Sequence, residues 1–214
     1  MDLFNEETDW AKELRPLITK YKGKDHPLNY KNIYQLMVMV VLAAQDSDAN
    51  INKVTVEFFR KFPDMKALSK ANTAELHEYL DKVRFNGNKI AWLQEIAETV
   101  KEDKNIPRTM KELVALKGVG RKSANVILRE SGAEAEGILV DLHVLRVAPR
   151  LGITTDGDAT KIEKQLMQKL PKDMWGDIGM ALSFLGRETC RPTNPKHSEC
   201  IVSHVCEYCL KHKA

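Results

Sequence analysis

Apolar residues recur at three- and four-residue spacing along almost the whole chain, and no stretch alternates strictly between apolar and polar, so the pattern predicts helices throughout. Trp10, Leu14, Leu17 and Ile18 mark a first amphipathic stripe. Residues 30–44 read as a helix that is apolar on every side, closed by the cap-forming side chains of Gln45-Asp46-Ser47-Asp48. Val54, Phe58, Phe59 and Phe62 mark the next helix, which Pro63-Asp64 stops. Short helical patterns follow at 65–70 and 73–81. After a loop at Arg84-Phe85-Asn86-Gly87 comes a longer helix over 88–103, with Ile90, Leu93, Ile96, Ala97 and Val100 on one side. Pro107 precedes a helical pattern at 110–116. The turn Gly118-Val119-Gly120 then leads into a helix over 121–130. Gly132 and Gly137 break the chain before an apolar helix starts near Leu142, Thr155-Asp156-Gly157-Asp158 reads as a turn, and 159–170 and 173–187 are helical again. The last 25 residues carry Pro192 and Pro195, show little periodicity and are expected to need a staple. The class is all-α.

Composition narrows this picture only modestly. The 214 residues suffice for one large domain or two small ones, and 43% hydrophobic with 29% charged residues is ordinary for a soluble globular protein. A net charge of +3 permits nucleic-acid binding without predicting it. Local charge says more, because Lys117, Arg121, Lys122 and Arg129 cluster around the glycine turn. The N-terminal residues 1–7 are acidic and lack a signal peptide's apolar core, and the longest apolar run, 36–44, is too short to span a bilayer. A soluble, cytoplasmic protein is expected. The cysteines are absent until Cys190 and then crowd together with Cys200, Cys206 and Cys209, which points to metal in preference to a disulfide framework.

The glycine turn carries the chemistry. A Walker A loop fails here because Arg121 separates Gly120 from Lys122 and position 115 is Ala; a Rossmann fingerprint fails because the preceding segment is helical and position 123 is Ser. What fits is a helix–hairpin–helix, in which glycines let a phosphate approach backbone N–H groups at a helix N-terminus. Lys122 on the first turn places an amine beside that phosphate, and Asp141, at the start of the next apolar helix, supplies a carboxylate. Taken singly, a helix-borne lysine is a solvated surface group and an aspartate before a helix is an N-cap. An amine and a carboxylate beside a phosphate cradle suggest chemistry on nucleic acid.

The stretch from Leu116 to Asn125, the Val140-Asp141 that follows and the late cysteines resemble endonuclease III, the iron–sulfur branch of the helix–hairpin–helix DNA glycosylases. The similarity runs from Leu42-Ala43-Ala44-Gln45 through Gly186-Arg187-Glu188-Thr189-Cys190 to Cys206-Glu207-Tyr208. It implies a bifunctional DNA glycosylase and AP lyase for oxidised pyrimidines, working on a base flipped out of the duplex. Lys122 would attack C1′ of the sugar, form a Schiff base and cleave the strand by β-elimination, with Asp141 accepting the proton and opposing positive charge on the sugar. The attack needs the neutral amine, which burial and the cationic neighbour Arg121 favour. His143 is expected to be a structural hydrogen-bonder. The rivals are a monofunctional mismatch glycosylase, which usually lacks the lysine, and a non-catalytic hairpin module that only binds DNA.

The same resemblance assigns DNA contacts to Gly118, Val119, Gly120 and Arg121, and gap-filling roles to Gln45 and Phe85. Where relatives carry an aliphatic wedge, this chain has Phe85, which reads equally well as a packing staple; position 86 departs as well. The family holds a [4Fe–4S] cluster on Cys-x6-Cys-x2-Cys-x5-Cys. Aligned without gaps, Cys190, Cys200 and Cys206 take the first, third and fourth places, His197 takes the second, and Cys209 is additional. A cluster with Cys209 as fourth ligand is the expectation, and His197 in its place, zinc, or no metal at all are the alternatives. The implied architecture is two-lobed: 27–134 as a helical-barrel domain with the hairpin, and 1–26 with 135–214 as the cluster domain, Lys122 and Asp141 facing one another across a cleft. The expected partner of this monomer is double-stranded DNA with a damaged base or abasic site, not a membrane.

Overall fold

The computed structural model describes residues 8–155 and 157–212 and is helical throughout, with no strand among these residues. The acidic residues 1–7 and position 156 of the expected turn lie outside the described residues. The elements are α1 (Trp10–Tyr21), α2 (Ile33–Leu42), α3 (Asp48–Lys61), α4 (Met65–Leu68), α5 (Thr73–Leu80), α6 (Asn86–Val100), α7 (Met110–Ala115), α8 (Arg121–Glu130), α9 (Leu142–Leu151), α10 (Ala159–Lys169), α11 (Trp175–Glu188) and α12 (Glu207–Lys211). Short 3-10 turns lie at Asp103–Asn105, Lys172–Met174 and His197–Glu199. Among the described residues no helix is long and apolar enough to cross a membrane. The chain divides into two compact units, one running from Asp25 to Ala133 and the other combining the chain up to Lys24 with the chain from Glu134 onward.

In the first of these, α2 is the core. Tyr34 and every residue from Leu36 to Leu42 are buried, and the helix packs on α3, α6 and α8. Each such side chain contributes about 1.5–3 kcal/mol through burial, which is why a helix with no polar face is stable only here, at the centre. It is shorter than the expected 30–44. Asn32 stops it at the front by accepting the Gln35 N–H at 2.9 Å, and Gln45 turns the chain left-handed (φ 58°) just beyond it. Similar side-chain caps start the neighbours: Ser47 for α3, Asp64 for α4, Asn72 with Glu75 for α5, and Thr109 for α7. α6 runs from Asn86, two residues earlier than its periodicity suggests, and ends where Lys101 takes φ 64°.

In the second unit α11 lies against α1 and α9. Gly179 and Gly186 are there because nothing larger fits. A Cβ on Gly179 would come within 2.5 Å of the Leu139 carbonyl oxygen, and one on Gly186 within 2.8 Å of the His143 Cβ. Glycine inside a helix costs about 0.5–1 kcal/mol, and here that cost is accepted for a close approach. Ser183, one turn after Gly179, is carried by the same face onto the start of α9.

Candidate functional site

The hairpin is α7, the turn and α8, with α7 packed on α8. The two glycines of its turn differ in purpose. Gly118 has φ 74°, and a Cβ there would lie 2.6 Å from Trp92 Cε3, so both backbone and packing demand glycine. Gly120 is extended and a Cβ on it would meet nothing within 4 Å. Packing therefore does not explain Gly120. Val119 is buried and donates its N–H to Leu116 O at 3.2 Å, closing the turn. α8 then starts at Gly120 with no side chain capping it, which leaves its first N–H groups to solvent or an anion.

Arg121 and Lys122 are both exposed, in contrast to the burial expected for Lys122. The reason is local: α8 enters the core only from Ala124, and the turn before it projects. Among the described residues the Lys122 amine has no hydrogen-bond or ion-pair partner.

Asp141, in the other unit, is held in the opposite way. It is 8% exposed, and its Oδ1 accepts the N–H groups of His143 at 2.8 Å and Val144 at 2.9 Å, so it is the N-cap of α9. Its Oδ2 accepts the hydroxyl of fully buried Ser183 at 2.6 Å. Three residues upstream, the buried Glu163 carboxylate accepts the Ile138 N–H at 3.1 Å and ties down the segment leading in. Ser183 is a site residue that the sequence pattern missed; the small-residue run Gly179, Ser183, Gly186 on one face of α11 was its only trace. His143 makes a structural contact, 3.3 Å from its Nδ1 to an Nη2 of Arg146.

Gln45 and Phe85 lie in the same unit as the hairpin, on the loops before α3 and before α6. Both are exposed, Phe85 at 64%, more than a packing staple requires. Both also have left-handed backbones, φ 58° and 56°.

The expected iron–sulfur cluster, and zinc in its place, are corrected by the structure. Among the described residues no group of three or more His, Cys, Asp or Glu side chains is placed to hold a metal ion. Cys190, Cys200, Cys206, Cys209 and His197 line one cavity, but two of the four sulfurs are engaged by the protein. Cys206 donates its thiol to Arg150 O at 3.3 Å, and Cys190 accepts from Arg150 Nη1 at 3.6 Å. Burial pushes the Cys200 and Cys206 thiols up, favouring the protonated form. The staple of this tail is arginine. Arg146 Nε donates to Cys190 O at 3.2 Å, and Arg150 donates to Arg191 O and Pro192 O at 2.8 and 3.1 Å while stacking on the Tyr208 ring at 4.4 Å.

A capless glycine hairpin carrying a solvent-facing lysine, on an all-α scaffold, defines the class: a helix–hairpin–helix protein. The profile described as HhH-GPD superfamily base excision DNA repair protein matches residues 38–172. The chain is 35% identical over 199 residues to endonuclease III of Synechocystis sp., covering 92% of this chain and 91% of the relative. It is 37% identical over 183 residues to endonuclease III of Bacillus subtilis, covering 84% and 83%. The solved structure of a trapped endonuclease III–DNA covalent intermediate, an estranged-adenine complex, matches with a TM-score of 0.82 at 31% identity, over 95% of this chain and 96% of the other. The chain belongs to the endonuclease III family of the HhH-GPD superfamily. It is an enzyme, and its activity at the level of that family is base-excision-repair DNA glycosylase and AP lyase.

Proposed function

We propose that the chain excises oxidised pyrimidines from double-stranded DNA and cleaves the strand, with Lys122 as nucleophile and Asp141 as the carboxylate. The observation that carries this reading is Lys122 itself. It sits exposed on the first turn of α8, two residues after a glycine that packing does not require. A phosphate on the open N–H groups would bring the sugar chain to the amine. The relative solved as a trapped covalent intermediate with DNA supports a covalent route.

In this route the neutral Nζ bonds to C1′ as the bond from C1′ to the base breaks and the base leaves with its electron pair. The secondary ammonium loses a proton, the sugar opens to the Schiff base, and β-elimination expels the 3′ phosphate. Asp141 takes up the proton and opposes the charge that develops on the sugar. Its three hydrogen bonds set the carboxylate in place before substrate arrives. Gln45 and Phe85 fill the space a flipped base leaves.

The test is borohydride trapping on a duplex with one thymine-glycol or abasic site. A covalent adduct with the native chain that is absent with Lys122→Ala supports the reading. Base release without any adduct would overturn it in favour of a monofunctional glycosylase, and DNA binding without base release in favour of a binding module.

A further inference from the structure

Lys89 is 2% exposed, yet neither the hairpin chemistry nor the apolar core has a use for its charge. A buried ammonium is unfavourable unless it is paired and hydrogen-bonded. Its Nζ donates to Leu42 O at 2.7 Å, the last carbonyl of α2. Burial pulls its proton affinity down while the charge of Asp46 pulls it up.

Asp46 is the other half of the arrangement. Its Oδ1 accepts the Ser47 N–H at 2.7 Å and the Asn50 amide at 3.1 Å, and its Oδ2 accepts the Arg84 N–H at 2.9 Å. The Asn50 amide also donates to Lys82 O at 3.1 Å. The loop before α3 is thus tied directly to the loop before α6, across 38 residues of sequence.

What these ties hold is strained. Gln45, immediately before Asp46, and Phe85, immediately after Arg84, are two of the four non-glycine residues with positive φ among the described residues. Such a backbone is strained and persists only where the surroundings over-determine it. Nothing in the packing of either exposed side chain offsets that strain.

We infer that Asp46 and Lys89 are positioning residues, a polar clasp that fixes the left-handed turns at Gln45 and Phe85 and presents both side chains together to the gap in a duplex. This rests on the gap-filling role proposed above. Without the clasp the two loops relax toward ordinary backbone angles, and each side chain leaves its preset direction. The clasp acts on opening a duplex, so a substrate that is already open does not need it.

The experiment compares the native chain with Asp46→Ala, Asp46→Asn and Lys89→Met on two probes: a duplex with one thymine glycol, and a single-stranded oligonucleotide with a preformed abasic site. Gln45→Ala and Phe85→Ala serve as references, and thermal melting checks the fold. The ratio of duplex to single-strand cleavage is expected to fall about tenfold for Asp46→Ala and Lys89→Met, the scale of one or two lost hydrogen bonds. Asp46→Asn, which keeps one acceptor, should fall between native and Asp46→Ala, and it still reads the clasp if thermal melting shows Lys89→Met to be unfolded. A ratio that stays native while both reference variants lose it would overturn the clasp and leave the gap-filling role standing. Equal losses on both probes would reduce the clasp to a purely structural element and overturn it too. Reference variants with a native ratio would sink the gap-filling role and the clasp with it.

Discussion

Two helices of this chain begin in opposite ways. α8 starts at Gly120, which offers no side chain to the first N–H groups, and the lysine that follows is exposed. α9 starts at Asp141, whose carboxylate covers its own first N–H groups and is held from the far side by Ser183. An uncapped N-terminus keeps its partial positive charge for a ligand's anion, while a self-capped one spends that charge on fixing a carboxylate. The first arrangement suits a nucleophile that must travel to a sugar placed by its phosphate. The second suits a group whose place must be set beforehand, because orientation established before binding costs nothing during reaction.

The largest effect should come from the open end. Lys122→Ala removes the only amine on the first turn of α8, and single-turnover strand cleavage should fall about 10³-fold or more, as expected when a nucleophile is lost. Because the side chain is exposed, the melting temperature should hardly move. A variant that keeps cleaving at a tenth of the native rate would mean that the open N-terminus serves binding alone.

At the closed end, Asp141→Asn separates capping from chemistry. Asparagine caps as well as aspartate, so stability should change by less than about 1 kcal/mol. The rate of base release should fall about 10²- to 10⁴-fold, the range for a lost general acid–base group. Stability and rate falling together would make Asp141 a cap and nothing more. Behind it, Ser183→Ala leaves the buried Oδ2 without its partner. Denaturant titration should show a loss of about 1–3 kcal/mol, and base release should slow by about tenfold with substrate KM unchanged. A slower rate with intact stability would be the sharper result, since it would place the hydroxyl on the side of chemistry.

How much of this was legible beforehand follows the range of the interactions. α8 falls at 121–130 as its periodicity predicts, because glycine spacing, a local turn and an amphipathic helix are written within a dozen residues. Asp141 was legible for the same reason: an aspartate at the start of an apolar helix is a local signal. Ser183 and Asp141 are 42 residues apart and Asp46 and Arg84 are 38 apart, and no short window records either pair. Lys89 looks like any surface lysine at Asn88-Lys89-Ile90 until α2 is packed over it. Lys122 is exposed where the chemistry implies burial, because α8 enters the core only from Ala124. The cysteines misled in another way. Their crowding suggests metal, but where a thiol points depends on the fold, and here Arg150 takes up two of the four sulfurs. Phe85 shows what the sequence left even: a wedge and a staple differ only in exposure.

The smallest effect returns to the open helix end, and it needs both glycines of the turn. Gly118→Ala forces a side chain into Trp92 at a left-handed position, and the two penalties together should cost about 2–4 kcal/mol of stability whatever the DNA does. Gly120→Ala has free space and an ordinary extended backbone, so the chain should lose no more than about 1 kcal/mol, the difference between a glycine and an alanine cap. What the added methyl does occupy is the approach to the uncapped N–H groups. If a phosphate sits there, duplex affinity should fall by about tenfold, and the slope of log affinity against log salt should flatten by about one. The salt slope is the decisive readout. A methyl that merely disturbed the turn would shift affinity equally at every ionic strength, whereas loss of one phosphate contact changes the number of counterions released, and only an open helix end has such a contact to lose.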